Sequence, residues 1–229
     1  MTNSPYQTSA ISEDSIEQVD AIVIGAGVTG LYAIYRLREL GLTVQAFEDA
    51  SGVGGTWFWN RYPGCRFDSE SYTYGYSFSE ELLQEWDWKE YYSGQPENER
   101  YLNYVADKFN LRPHIRLNSR VISATFDQTD NKWEVLLQDG HKARGQFLIT
   151  AIGILSAGYV PDFEGIHSFK GEWCHTGRWP ADGMDLAGKR VGVIGTGASG
   201  VQLITEIARE VGNLTVFQRT ANYCAPLRN

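Results

Sequence analysis

Basic residues are in short supply: 20 Lys and Arg stand against 28 Asp and Glu, a formal net charge of −8. Neutralising nucleic-acid phosphates, or holding to an anionic membrane, takes clustered Lys and Arg, so neither partner has electrostatic support. Cysteine is scarce too. Cys65, Cys174 and Cys224 are odd in number and far apart, which excludes a disulfide framework and the paired spacing of a zinc or redox site. No apolar run approaches the roughly 20 residues that cross a bilayer. The first 19 residues carry Glu13, Asp14 and Glu17 where a signal peptide would need basic and then apolar residues. The expectation is a cytoplasmic globular protein in a reducing compartment, with a flexible tail over residues 1–18, no metal, no nucleic acid and no membrane partner.

Glycine, by contrast, is plentiful at 24 residues, and two groups of it carry a pattern. An apolar strand over Asp20–Ile24 runs into G-A-G-V-T-G at Gly25–Gly30. A helix follows with Leu31, Ile34 and Leu37 on one face, Gly41 stops it, and a second strand over Thr43–Phe47 ends on Glu48. In such a strand-helix-strand unit the three glycines allow a tight turn, close approach of backbone to a pyrophosphate, and close helix-strand packing. The helix N-terminus presents free N–H groups and the positive end of its dipole to the phosphates. Glu48 stands where an acidic residue hydrogen-bonds a ribose hydroxyl, and its carboxylate would repel a 2′-phosphate. The site therefore suits FAD or NAD and not NADP.

The pattern begins again at a strand over Val191–Ile194, followed by G-T-G-A-S-G at Gly195–Gly200. The next helix shows Val201, Ile204, Ile207, Ala208 and Val211 on one face, with Gly212 at its end, and a strand over Leu214–Phe217 follows. Here the second strand ends in Gln218-Arg219-Thr220 instead of an acid. A guanidinium fork with a hydroxyl suits a 2′-phosphate, the other reading of Arg219 being a solvated charge after a strand. Opposite charges in two like units imply FAD first and NADPH second.

Between the units lies an aromatic-rich stretch over Gly54–Tyr92, then a helix opened by Pro96 at its first position, with Leu102, Val105 and Phe109 inward. Strands over Val121–Phe126, Trp133–Leu137 and Gln146–Ile152, joined by Asp130-Asn131 and Asp139-Gly140, read as an antiparallel meander whose last strand re-enters the main sheet. The expected fold is α/β, with two dinucleotide-binding, Rossmann-like domains in tandem and an antiparallel β-meander insertion in the first. The second domain is expected to be incomplete, with its C-terminal completion missing from this chain. The expected division is an FAD-binding domain over 19–153, a connector over 154–185 and the start of an NADP-binding domain over 186–229.

Two further segments are specific. F-K-G-E-W-C-H-T-G-R-W-P, at Phe169–Pro180, fits F-x-G-x-x-x-H-x-x-x-W-P at Phe169, Gly171, His175, Trp179 and Pro180. G-G-T-W-F-W-N-R-Y-P-G-C-R-F-D, at Gly54–Asp68, fits a second signature at Gly55, Trp57, Tyr62, Pro63, Gly64 and Asp68. With both glycine motifs in order, the chain from Val19 onward resembles the type I Baeyer-Villiger monooxygenases. Related flavin-containing and N-hydroxylating monooxygenases share parts of this layout but lack the Trp179-Pro180 ending.

The resemblance implies an enzyme that uses NADPH and dioxygen to insert one oxygen atom next to a ketone carbonyl, giving an ester or lactone. An N- or S-oxidising flavin monooxygenase, or a noncatalytic nucleotide-binding fragment, are the alternatives. It implies FAD contacts from Gly25, Gly27, Thr29, Gly30, Glu48, Gly55, Thr56, Trp57, Phe58, Trp59, Asp68, Tyr74 and Val121, with Arg66, Phe67 and Asp68 reaching the nicotinamide side. Gly195, Thr196, Gly197, Ala198, Ser199, Gly200, Val201 and Gln202 would form the NADP pyrophosphate loop, with Arg219 and Thr220 on the 2′-phosphate. Asp68 is the candidate catalytic residue, orienting the nicotinamide and an active-site arginine. His175, in the connector, reads as a hinge or hydrogen-bonding residue, direct proton transfer being the other reading. The aromatics from Trp57 to Phe78 are mostly packing. Such enzymes continue past residue 229, so the resemblance implies that a complete site needs the remainder of the polypeptide.

Overall fold

Ala21, Ile22 and Val23 are wholly buried in the first strand, β1 (Glu17–Ile24), as a strand covered on both faces requires. The computed structural model describes residues 16–226 and 228–229. The expected tail therefore lies outside the described residues as far as position 15, while Glu17 and Gln18 belong to β1 and pair with Ala143 and Arg144. The chain divides into two units, Met1–Gly52 with Phe109–Ala151, and Val53–Lys108 with Ile152–Asn229.

The first unit holds β1, α1 (Val28–Glu39), β2 (Val44–Phe47), β3 (Ile115–Arg116), β4 (Val121–Asp127), β5 (Lys132–Leu137) and β6 (Lys142–Thr150). One sheet contains all six strands in the order β3-β2-β1-β6-β5-β4. β2 and β6 flank β1 in parallel, whereas β5 runs antiparallel to β6 and β4 antiparallel to β5. The meander is thus continuous with the main sheet. Ile22, Phe47, Val135, Leu137 and Ala143 form one core cluster with Val19, Val121 and Leu148 packed on it, which seats the meander against the nucleotide-type strands. Each large side chain there contributes about 1.5–3 kcal/mol by leaving water.

Strand boundaries differ from expectation: β1 begins at Glu17 and β6 ends at Thr150. β6 begins at Lys142, four residues before the apolar run, because its charged start is held by cross-strand pairs: Lys142 to Glu134 at 2.8 Å and Arg144 to Asp127 at 2.8 Å. β3 was not expected at all, being two residues added beside β2. The expected turns are present, with Asn131 at φ 54° and Gly140 at φ 88°.

The second unit contains α2 (Thr56–Trp59), α3 (Ser71–Tyr74), α4 (Glu80–Glu85), α5 (Gln95–Lys108), β7 (Arg190–Ile194), α6 (Ala198–Ile207) and β8 (Asn213–Phe217). Pro96 is the second residue of α5, not the first, and Leu102 and Val105 are buried as expected. α4 starts on Ser79, whose hydroxyl accepts the Leu82 amide. β7 and β8 pair in parallel around α6. α6 buries Leu203 and Ile207 and ends at Ile207, so Ala208 and Val211 are not on its inner face. Gly212 does not cap the helix either: a Cβ there would lie 2.3 Å from the Gly188 carbonyl oxygen, so its small size serves the entry to β8.

Candidate functional site

The two glycine turns share one geometry. Gly25 and Gly195 hold φ of 102° and 101°, in the left-handed region that side chains avoid. Each donates its amide to the last residue of the second strand, Gly25 to Phe47 at 2.8 Å and Gly195 to Phe217 at 2.9 Å. A Cβ on Gly30 would lie 1.9 Å from the Gly25 carbonyl oxygen, and one on Gly200 2.4 Å from that of Gly195. Both helices start on an extended glycine, Gly27 and Gly197, with no side-chain cap and no acid in the first turn. The first turn of each helix therefore presents backbone N–H groups and the positive end of the helix dipole beside a tight glycine turn, chemistry that fits a pyrophosphate. Thr29 is exposed in the first turn of α1.

The ends of the second strands differ. Glu48 is 5% exposed, and its carboxylate accepts the Ala26 amide at 2.6 Å and the Ala50 amide at 2.8 Å. The acid is therefore bound to the glycine turn itself, with acceptor capacity on each oxygen left for a ribose hydroxyl. Neither amide contact was legible beforehand. After β8, Arg219 is exposed, and Gln218 and Thr220 join Thr196 in a polar network: Gln218 Nε2 donates to Thr196 Oγ1 at 3.0 Å, and that hydroxyl to the Thr220 carbonyl at 3.4 Å. Val121 opens β4 and is half-buried against the core of the first unit.

In the second unit the signature loop is built on aromatic packing. Gly54 and Gly55 both have positive φ, 131° and 55°, and turn the chain into α2. Trp57 is buried and donates its indole N–H to Tyr74 Oη at 2.7 Å, while Phe67 stacks on Tyr74 with ring centroids 4.4 Å apart. Burial pushes the Tyr74 phenol up, so it stays protonated. The Arg66 guanidinium faces Glu90 at 3.4 Å and the Tyr92 carbonyl at 3.2 Å. Asp68 is exposed, and its Oδ1 accepts Gln202 Nε2 at 2.8 Å. The loop and the second glycine-motif helix, read separately from the sequence, are brought together.

Cys65 is buried in the same loop, and burial pushes its thiol from 9.0 up to about 11. The folded state favours the thiol, so this group's stabilising contribution is complete below pH 9.0 and is lost as pH rises through about 11. Native protein at about pH 8 should leave Cys65 unalkylated by iodoacetamide while denatured protein is labelled there, as read by peptide mass spectrometry. Equal labelling in both states would contradict a buried, neutral thiol.

The connector is tied to the loop by a residue that the motif leaves unspecified. Arg178 lies over the Trp59 ring at 4.6 Å and donates to the Ser156 carbonyl at 2.9 Å. His175 Nδ1 accepts the Gly177 amide at 3.1 Å and caps the short turn over Thr176–Arg178. That leaves Nε2 to carry the proton of the neutral ring. A Cβ on Gly171 would lie 2.7 Å from the Phe169 ring, Trp179 is half-buried, and the Pro180 carbonyl accepts the Gly183 amide at 3.0 Å.

Residues 18–225 match the Flavin-binding monooxygenase-like family. The chain belongs to this family. This flavin-binding monooxygenase-like chain is 53% identical over 215 residues to the acetone monooxygenase (methyl acetate-forming) of Gordonia sp. (strain TY-5), covering 94% of itself and 40% of that protein. It is 48% identical over 208 residues to the phenazine N-monooxygenase PhzNO1 of Lysobacter antibioticus, covering 90% of itself and 38% of that protein. The crystal structure of cyclohexanone monooxygenase from Rhodococcus sp. Phi1 bound to NADP+ matches with a TM-score of 0.90 at 50% identity, over 93% of this chain and 40% of that one. The family member described here thus spans about 40% of the length of such relatives.

Proposed function

We propose that the protein is an FAD-containing, NADPH-dependent Baeyer-Villiger monooxygenase, inserting one oxygen atom from dioxygen next to a ketone carbonyl to give an ester or lactone. The observation that carries this reading is a pair of glycine turns of one geometry whose second strands end in opposite chemistry, Glu48 in one and Gln218-Arg219-Thr220 in the other. Similarity to an acetone and a cyclohexanone monooxygenase supports a ketone as substrate. Similarity to a phenazine N-monooxygenase favours N-oxidation as the second reading. A cytoplasmic setting rests on the three free, scattered cysteines; separately, among the described residues no helix is long and apolar enough to cross a membrane.

In this reading the amides opening α1 hold the FAD pyrophosphate, and Glu48 accepts from the ribose while staying bonded to Ala26 and Ala50. The amides opening α6 hold the NADPH pyrophosphate, with Arg219 and Thr220 on the 2′-phosphate. Bound flavin would supply the electron transfer from NADPH to dioxygen that no side chain can perform. Trp57, Phe67 and Tyr74 form a packed aromatic wall that keeps water from their side of the site. The Asp68 carboxylate orients the nicotinamide and holds a cation against developing negative charge. His175 sets the connector by capping the turn that presents Arg178 to Trp59.

The test is to supply full-length protein with NADPH, air and a panel of small ketones and amines, and to identify products by gas chromatography and mass spectrometry. Ester or lactone is expected. Asp68→Ala should keep its flavin yet form product about 10²–10³-fold more slowly. Amine oxides with no ester from any ketone would transfer the protein to the second reading.

A further inference from the structure

The side chain of Gln202 is wholly committed to the signature loop. Its Nε2 donates to the Arg66 carbonyl at 2.9 Å and to Asp68 Oδ1 at 2.8 Å, and its Oε1 accepts from Tyr62 Oη at 2.8 Å and from the Arg66 amide at 3.3 Å. Two donors and two acceptors exhaust the hydrogen-bonding capacity of a primary amide. The partners also fix its orientation. Reversed, the amide would set its NH2 against the Arg66 N–H and its oxygen against the Asp68 carboxylate. Burial pushes the Tyr62 phenol well above its ordinary range, so it remains a donor. The backbones meet here as well: a Cβ on Gly64 would lie 2.8 Å from the Gln202 carbonyl oxygen, and Gly64 holds φ of 77°.

Gln202 sits on the first turns of α6, the helix whose N-terminal amides form the second glycine turn, and it grips the carboxylate expected to orient the nicotinamide. We propose that Gln202 is a positioning residue, reporting occupancy of the second nucleotide turn to Asp68 through this four-bond clamp. Its amide is spent on the loop and not on the pyrophosphate. Nucleotide binding that shifts or stiffens α6 must then move or stiffen Asp68 with it. Of the four bonds, the one to Asp68 involves a charge and is the strongest.

The inference rests on the reading that α6 faces a nicotinamide dinucleotide, and the measurements separate the two. In FAD-loaded full-length protein, NADP+ affinity is read from flavin fluorescence, and flavin reduction by NADPH is followed without oxygen or ketone. Wild type that neither binds NADP+ nor is reduced by NADPH sinks the functional reading, and the inference with it. With wild type active, Gln202→Leu should keep NADP+ affinity within about twofold while reduction at saturating NADPH slows about tenfold or more. Gln202→Glu retains acceptors for Tyr62 and Arg66 but sets a carboxylate against Asp68. Its reduction rate should be equally low at about pH 8 and recover as pH falls towards about 5.5, where the shared proton restores a donor. A residue that merely held α6 in place would lower flavin retention and melting temperature without that recovery. Wild-type rates in both variants, or a loss equal at every pH, would overturn the proposal. A measurement independent of any variant is hydrogen exchange in the wild type: NADP+ should slow exchange of the Arg66 amide, and unchanged exchange there would also overturn it.

Discussion

Gly30→Ala is expected to abolish flavin retention, whereas Gly200→Ala is expected to leave the flavin bound and abolish its reduction by NADPH. The added methyl would stand 1.9 Å from the Gly25 carbonyl oxygen in the first case and 2.4 Å from that of Gly195 in the second. Both obstacles are backbone, in turns already held at φ near 100° by hydrogen bonds to Phe47 and Phe217. No flexible side chain can yield, so the cost should reach or exceed the roughly 1–3 kcal/mol of ordinary overpacking. In the first turn the damage also displaces Ala26, whose amide is bonded to Glu48. The visible spectrum of each purified variant reports flavin content, and anaerobic bleaching by NADPH reports the second turn. A Gly30→Ala protein that purifies with a full complement of flavin would contradict the assignment of this turn.

Arg219→Ala should raise the KM for NADPH about 10- to 150-fold and leave that for NADH nearly unchanged. A charge-assisted hydrogen bond to phosphate contributes roughly 1.5–3 kcal/mol, and those factors follow directly. Arg219 is exposed just beyond β8, where an ordinary solvated charge pair would be worth only about 0.2–1 kcal/mol. The size of the effect therefore distinguishes a phosphate contact from a surface charge. Glu48, bonded to two backbone amides at the matching place in the first unit, gives the opposite expectation, since a 2′-phosphate there would meet a carboxylate. Steady-state kinetics with both dinucleotides decides the matter. Equal use of NADH and NADPH by the wild type would remove Arg219 and Thr220 from the site.

The glycine turns, their helices and the acid-against-base contrast were legible from residues alone, because their causes are local. A positive φ, a helix N-terminus and a Cβ-free approach to a carbonyl five residues away all operate within one short segment. The Asp130-Asn131 and Asp139-Gly140 turns were readable for the same reason, as their left-handed residues show. Where the periodic signal is carried by charge instead of apolar side chains it failed. The charged residues Lys142 and Arg144 lie in β6, ion-paired to Glu134 of β5 and Asp127 of β4, and β3 is too short to have a period. The second signature marks Tyr62, Gly64 and Asp68, and the resemblance places Gln202 in the NADP pyrophosphate loop. Only the tertiary structure joined it to Tyr62 and Asp68, 140 and 134 residues away along the chain. Side-chain amide bonds across that separation leave no trace in local composition or spacing, since any glutamine on α6 reads alike until the fold decides what lies within 3 Å of it.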